Sequence, residues 1–119
     1  MNARSPRILG AAAVVALAAC ARTDTITSPY GNVADVYASG AIYTPPSADI
    51  SLGGTVRFHM TATAAGEGHN AIFSRATPGA PDDINIVVNE TVSRTFSVRG
   101  TFAYACTVHP GMGGEVVVH

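Results

Sequence analysis

Between Gly31 and His119 apolar and polar residues alternate with a period of two, in short runs separated by glycine, proline, asparagine and aspartate. No segment repeats helical spacing. Such alternation buries one face of a strand and leaves the other in water, so the strands must pair into sheets whose apolar faces cover one another. Thr55–Met60 sets Val56, Phe58 and Met60 on one face and His59 on the other; read together with Ile50–Leu52 across Gly53-Gly54, it predicts a hairpin. Asn70–Ser74, Ile84–Val88, Val92–Val98, Thr101–Cys106 and Glu115–His119 supply further strands, joined by segments such as the Pro- and Gly-rich Thr77–Asp83. In Thr101–Cys106, Phe102, Tyr104 and Cys106 share the core-facing side, opposite the small Ala103 and Ala105. About seven or eight short strands in one domain predict an all-β Greek-key sandwich or barrel. Phe58, Met60, Phe96, Phe102 and Tyr104 are expected in its core.

Composition narrows the partners. The 119 residues carry seven Lys+Arg, all of them arginine, against eight Asp+Glu, a formal charge of -1 with no basic run. The electrostatic footprint that a phosphate backbone demands is missing, which argues against nucleic acid. The length suits one domain, with no room for a second full-sized core.

The first residues follow a different pattern. Arg4 and Arg7 precede the uncharged Ile8–Ala19, which is shorter than the roughly 20 residues a bilayer span needs. A positive start, a short apolar stretch and small residues before a break mark residues 1–19 as a secretory signal. The break, Leu17-Ala18-Ala19-Cys20, resembles the lipobox of bacterial lipoproteins, which implies that Cys20 is lipidated and becomes the first mature residue. Residues 20–31, polar and interrupted by Pro29 and Gly31, then form a tether, and residues 32–119 the domain. Because Ala21 follows the cysteine, the resemblance implies an exported protein held by lipid in the periplasm, at the outer membrane, or on the cell surface. Without Arg4 and Arg7 the remaining five arginines face eight acidic residues, a formal charge of -3.

With Cys20 taken by lipid, Cys106 is the one thiol left in an exported chain, where small domains usually pair their cysteines. A lone thiol there is buried, oxidised, or held by something. Its neighbours indicate the last. Cys106, His109 and Met112 lie in CTVHPGM with the spacing C-x2-H-x2-M, and Gly68-His69-Asn70 adds an imidazole upstream. Hard cations want oxygens, and structural zinc prefers more thiolates or a strong fourth ligand. Two imidazoles and a thiolate with a weak thioether suit copper in an electron-transfer geometry.

On these residues the chain resembles the cupredoxins, the blue copper proteins of the plastocyanin, pseudoazurin and amicyanin type. The similarity covers about Tyr43–His119: Tyr43-Thr44-Pro45, Gly53–Phe58, Gly68-His69-Asn70, Thr95-Phe96, Gly100–Cys106, the short, amicyanin-like loop Cys106–Met112 and Gly114-Glu115-Val116. It implies one type 1 copper ion with His69, Cys106 and His109 as strong ligands and Met112 as the axial one. Asn70 would tie the first ligand strand to the ligand loop near Thr107. The edge of His109, ringed by Pro110, Gly111 and Gly68, would be the electron port of a monomer that meets redox partners transiently. Two features depart from the family pattern. Val108 stands where many relatives have proline, which leaves an additional N–H near the sulfur, and Thr61–Gly68 is longer than in compact relatives.

Other functions fit less well. A copper storage or delivery protein would want Met- or His-rich tracts, yet Met60 and Met112 are the only methionines beyond the signal. Multicopper enzymes need more His clusters than four histidines supply. A Cys106–His109 dyad oriented by Asn70 lacks a clear protease context, and a metal-free scaffold leaves the ligand spacing unexplained. His59 and His119 are expected as exposed bystanders, and Asp82-Asp83 as loop neighbours without a paired acid/base role.

Overall fold

A computed structural model of the chain describes Gly10 and residues 28–119. The expected secretory signal other than Gly10, the expected lipidation site Cys20 and most of the expected tether lie outside the described residues. Nine strands follow in chain order: β1 Val33–Ser39, β2 Ile42–Thr44, β3 Ser47–Ile50, β4 Thr55–Met60, β5 His69–Phe73, β6 Ile84–Val87, β7 Glu90–Thr95, β8 Gly100–Ala105 and β9 Gly113–Val118. They form two sheets, β2-β1-β4-β7 and β3-β9-β8-β5-β6, packed as an all-β sandwich. The count exceeds the expected seven or eight because β1 and β2 precede the first strand read from the sequence. β1 buries only Val36 and Ala38, too weak a pattern to stand out.

The expected hairpin across Gly53-Gly54 does not form. β3 runs parallel to β9 in one sheet, whereas β4 lies between β1 and β7 in the other. Ile50 and Val56 are both fully buried, and they face each other's sheets rather than sharing one. The crossing is tight: a Cβ on Gly54 would stand 2.8 Å from the Ser51 carbonyl oxygen, and Gly53 sits at φ +81. Glycine therefore marks a change of sheet here, not a hairpin turn.

Between the sheets, aromatic rings meet edge to face. Phe58 contacts Tyr104 at 5.3 Å between centroids and Phe73 at 6.1 Å, both nearly perpendicular. Phe96 packs edge to face on Phe73 at 5.9 Å and lies tilted on Phe102 at 5.6 Å. Such geometries add about 0.5–1.5 kcal/mol per pair beyond the area they bury. Phe58, Met60, Phe96, Phe102 and Tyr104 are all buried, as their alternation predicts.

His59 is no bystander. Its Nε2 lies 2.7 Å from Asp35, its Nδ1 lies 2.9 Å from Thr91 Oγ1, and Tyr37 stacks on its ring at 4.5 Å. Asp35 also accepts two bonds of 2.7 Å from Arg57. Arg57 first, then His59, hold the Asp35 carboxyl at about 2, well below its ordinary value. Asp35 faces Arg57 and Tyr37 faces His59 across β1–β4, while His59 faces Thr91 across β4–β7, so the cluster locks the register of three strands on the outer face. His119 is likewise engaged, 2.7 Å from Asp49 and stacked at 3.6 Å on Tyr30. The partners of both histidines are remote in sequence, and alternation alone cannot reveal them.

Candidate metal centre

The site gathers at one end of the sandwich. His69 opens β5, Cys106 follows β8, and Met112 precedes β9. β8 and β9 are antiparallel neighbours with Ala105 opposite Gly113, so residues 106–112 make a short bridge between adjacent strand ends. Two backbone bonds fold that bridge: Cys106 N–H donates to the Met112 carbonyl at 2.9 Å, and Met112 N–H donates to the His109 carbonyl at 3.1 Å.

The upstream strand is shaped to meet it. Pairing of β5 with β6 shifts register between His69 and Ala71. At this irregularity alternation breaks, and His69, Asn70 and Ala71 are buried in succession. A bulge re-aims side chains that a regular strand would send to opposite faces. Gly68 is buried beneath β6 rather than lying on the surface beside His109, and a Cβ there would be 2.3 Å from the Val87 carbonyl oxygen. Asn70 spans the gap: its Nδ2 donates to Thr107 Oγ1 at 2.7 Å, and Thr107 N–H donates to its Oδ1 at 2.8 Å.

One donor atom from each of His69, Cys106 and His109 lies within 4.8 Å of the others. Cys106 Sγ is 3.6 Å from His109 Nδ1, and the two imidazole rings are 4.8 Å apart. Met112, 2% exposed, sits in the adjoining apolar core. His69 is fully buried, and neither of its ring nitrogens has a hydrogen-bond partner. An unpartnered buried nitrogen costs about 1–3 kcal/mol, and coordination to a cation removes that cost. The donor set, soft sulfur with neutral imidazole, suits copper.

The electrostatics favour the ligating forms of His69 and Cys106. Burial, then the neighbouring His109, push the His69 pKa down, which keeps the ring neutral and able to ligate. Burial by itself would raise the Cys106 pKa. The Asn70 N–H, the His109 ring and the backbone of Val108 and His109 outweigh it, and the thiol is lowered. His109 is raised, chiefly by Cys106.

Among the four candidate ligands His109 alone reaches solvent appreciably, its side chain 15% exposed, with Pro110 and Gly111 exposed beside it. Its outer nitrogen, Nε2, lies 3.5 Å from a carboxylate oxygen of Glu67. Glu67 is the residue that sequence reasoning missed. Its only signal was membership of Thr61–Gly68, the segment expected to be longer than in compact relatives, whose turn decides where that side chain points.

The family of copper binding proteins described as the plastocyanin/azurin family matches residues 33–119. Amicyanin-alpha of Methylorubrum extorquens (strain ATCC 14718 / DSM 1338 / JCM 2805 / NCIMB 9133 / AM1) is 33% identical over 109 residues, covering 89% of this chain and 87% of its own. The reduced Cu(I) form, at pH 4, of an amicyanin point mutant superposes with a TM-score of 0.61 at 29% identity, over 77% of this chain and 92% of that one. A copper-containing nitrite reductase from Thermus scotoductus SA-01 shares the fold, with a TM-score of 0.60 at 24% identity, but the match covers 71% of this chain and only 22% of the reductase.

Proposed function

Because the chain belongs to the plastocyanin/azurin family of copper binding proteins, we propose that it is an electron carrier, holding one type 1 copper ion through His69, Cys106 and His109 with Met112 as the weak fourth ligand. The observation that carries this reading is the convergence of three donor atoms within 4.8 Å around a buried imidazole with both nitrogens unpartnered. Copper bound by a thiolate and two imidazoles exchanges one electron between its cuprous and cupric states.

The chain's own part is to keep the ligands still while that happens. The paired bonds between Asn70 and Thr107 hold β5 against the ligand loop, and the Cys106–Met112 and His109–Met112 backbone bonds keep the loop from opening. A preformed cage needs little rearrangement on a change of charge. The buried His69, Cys106 and Met112 exclude water, and the partly exposed His109 edge is the way in and out for electrons. Partners meet this end transiently, and a mature charge of -3 favours a cationic docking face.

The test is to load purified protein with cupric ion and record visible absorption during a potentiometric titration. An intense blue or green band that bleaches reversibly with a one-electron slope is expected. A colourless protein that passes cuprous ion rapidly to a chelator would replace this reading with copper delivery.

We also propose that the domain is exported and tethered to a membrane by lipid on Cys20. Support comes from the Leu17-Ala18-Ala19-Cys20 lipobox and from the place where the chain joins the domain. Tyr30 stacks on His119 at the end of β9 remote from Met112, and Ser51 Oγ donates to the Tyr30 carbonyl at 2.6 Å. A tether leaving there keeps the His109 end clear of the bilayer. Two or more acyl chains anchor stably where one does not. Cys20→Ala is expected to move the protein from the membrane fraction to the soluble exported fraction; retention in membranes would refute the lipid anchor.

A further inference from the structure

The segment between β4 and β5, Thr61–Gly68, folds back on itself. Thr63 N–H donates to the Glu67 carbonyl at 2.9 Å, Glu67 N–H returns a bond to Thr63 Oγ1 at 3.0 Å, and Gly66 N–H donates to the Thr63 carbonyl at 2.9 Å. Gly66 takes the left-handed conformation this needs, φ +80. With its backbone held on both sides, Glu67 extends its carboxylate to within 3.5 Å of His109 Nε2. The other nitrogen of that ring, Nδ1, faces inward, 3.6 Å from the Cys106 sulfur.

The two nitrogens therefore have separate tasks. An imidazole that gives Nδ1 to a metal keeps its proton on Nε2, and Nε2–H needs an acceptor. Among the described residues Glu67 is the carboxylate paired with it. Resting on the copper reading above, we propose that Glu67 is a positioning residue for the electron port, its carboxylate orienting His109 through Nε2 and favouring the cupric over the cuprous state.

The physical reason has two parts. A carboxylate behind a ligating imidazole fixes its tautomer and ring orientation and makes it a stronger donor. A fixed negative charge also stabilises whichever redox state carries more positive charge. One electron enters on reduction and no proton moves, since Nε2–H stays on the ring in both states. The Glu67 side chain is 57% exposed, so water and salt screen its charge, and the effect falls at or below the lower end of the 10- to 100-fold range usual for such partners.

The experiment compares wild type, Glu67→Gln and Asp49→Asn, all copper-loaded, by midpoint potential at low and high ionic strength. Asp49 lies beside His119, at the other end of β9, and controls for the loss of one negative charge anywhere on the domain. Glu67→Gln is expected to lower the ratio of cupric to cuprous affinity about fivefold at low salt. That is a rise of about 40 mV at 59 mV per decade for one electron. The rise should shrink at high salt, and Asp49→Asn should stay near wild type. In the diamagnetic zinc-substituted protein, the His109 Nε2 proton should exchange slowly with water in wild type and quickly in Glu67→Gln.

Equal potentials and equal proton exchange in wild type and Glu67→Gln would overturn the role of Glu67 while leaving the copper reading intact. If wild type itself gives neither the visible band nor a reversible couple, the copper reading fails first. An equal rise in Asp49→Asn would reduce the effect to net charge and refute positioning.

Discussion

Replacing Cys106 with serine is expected to abolish the visible band completely and to lower cupric affinity by orders of magnitude while leaving the fold in place. The sulfur is the one anionic, polarizable donor in the set, and three kinds of N–H and the His109 ring lower its pKa against the opposing effect of burial. A serine hydroxyl in that position stays neutral, because nothing in the site approaches the strength needed to deprotonate it. It therefore offers neither charge nor softness. The remaining donors are two neutral imidazoles and, at best, a thioether. The substitution is nearly isosteric and leaves the Cys106 N–H bond to the Met112 carbonyl intact, so loop closure persists. Absorption spectroscopy, chelator competition and circular dichroism read the three consequences separately. A coloured Cys106→Ser protein with unchanged affinity would remove the thiolate from the site.

The largest loss of stability is expected from Phe58→Ala. Phe58 is fully buried in the centre of β4 and meets Tyr104 and Phe73 from the opposite sheet. Removing a ring that joins the two sheets costs about 3–5 kcal/mol, since the transfer energy is lost and a cavity remains. Against a net stability of about 5–15 kcal/mol for a small domain, that is about a fifth of the margin or more. The melting temperature should fall by more than about 12 °C, at about 4 °C or more for each kcal/mol. The metal-free protein is the proper test, because ligand binding adds its own stabilisation to any folded variant. Loss of under about 1 kcal/mol in urea unfolding would mean that the ring does not bridge the sheets.

The sequence disclosed most where side-chain type and short spacing carry the information. Alternation in Thr55–Met60 and Thr101–Cys106 placed Phe58, Met60, Phe102 and Tyr104 in the core, where they lie. The C-x2-H-x2-M spacing put Cys106, His109 and Met112 in one turn, and the fold brings His69 to Cys106 and His109. Contacts between distant segments were not legible. Asp35 and His59 each look like an ordinary polar residue on the outer face, and only the parallel pairing of β1 with β4 joins them. Gly53-Gly54 has the appearance of a hairpin turn, but hairpin and change of sheet require the same permissive backbone. The buried run His69-Asn70-Ala71 defies period two because it lies at a bulge, and a bulge depends on the partner strand as much as on its own residues.

What the sequence by itself determined is the chemistry: sandwich-forming strands, a soft donor set and a loop short enough to gather three of its members. Those properties reside in residue identity and near-neighbour spacing, which the chain carries into any conformation. What only the tertiary structure decided is electrostatic and geometric. It buries His69 with both nitrogens unpartnered, ties Asn70 of β5 to Thr107 of the ligand loop, and brings Glu67 to the outer nitrogen of His109. Each of these depends on distances between atoms far apart in the chain, and such distances exist only once two sheets have packed and excluded water from between them.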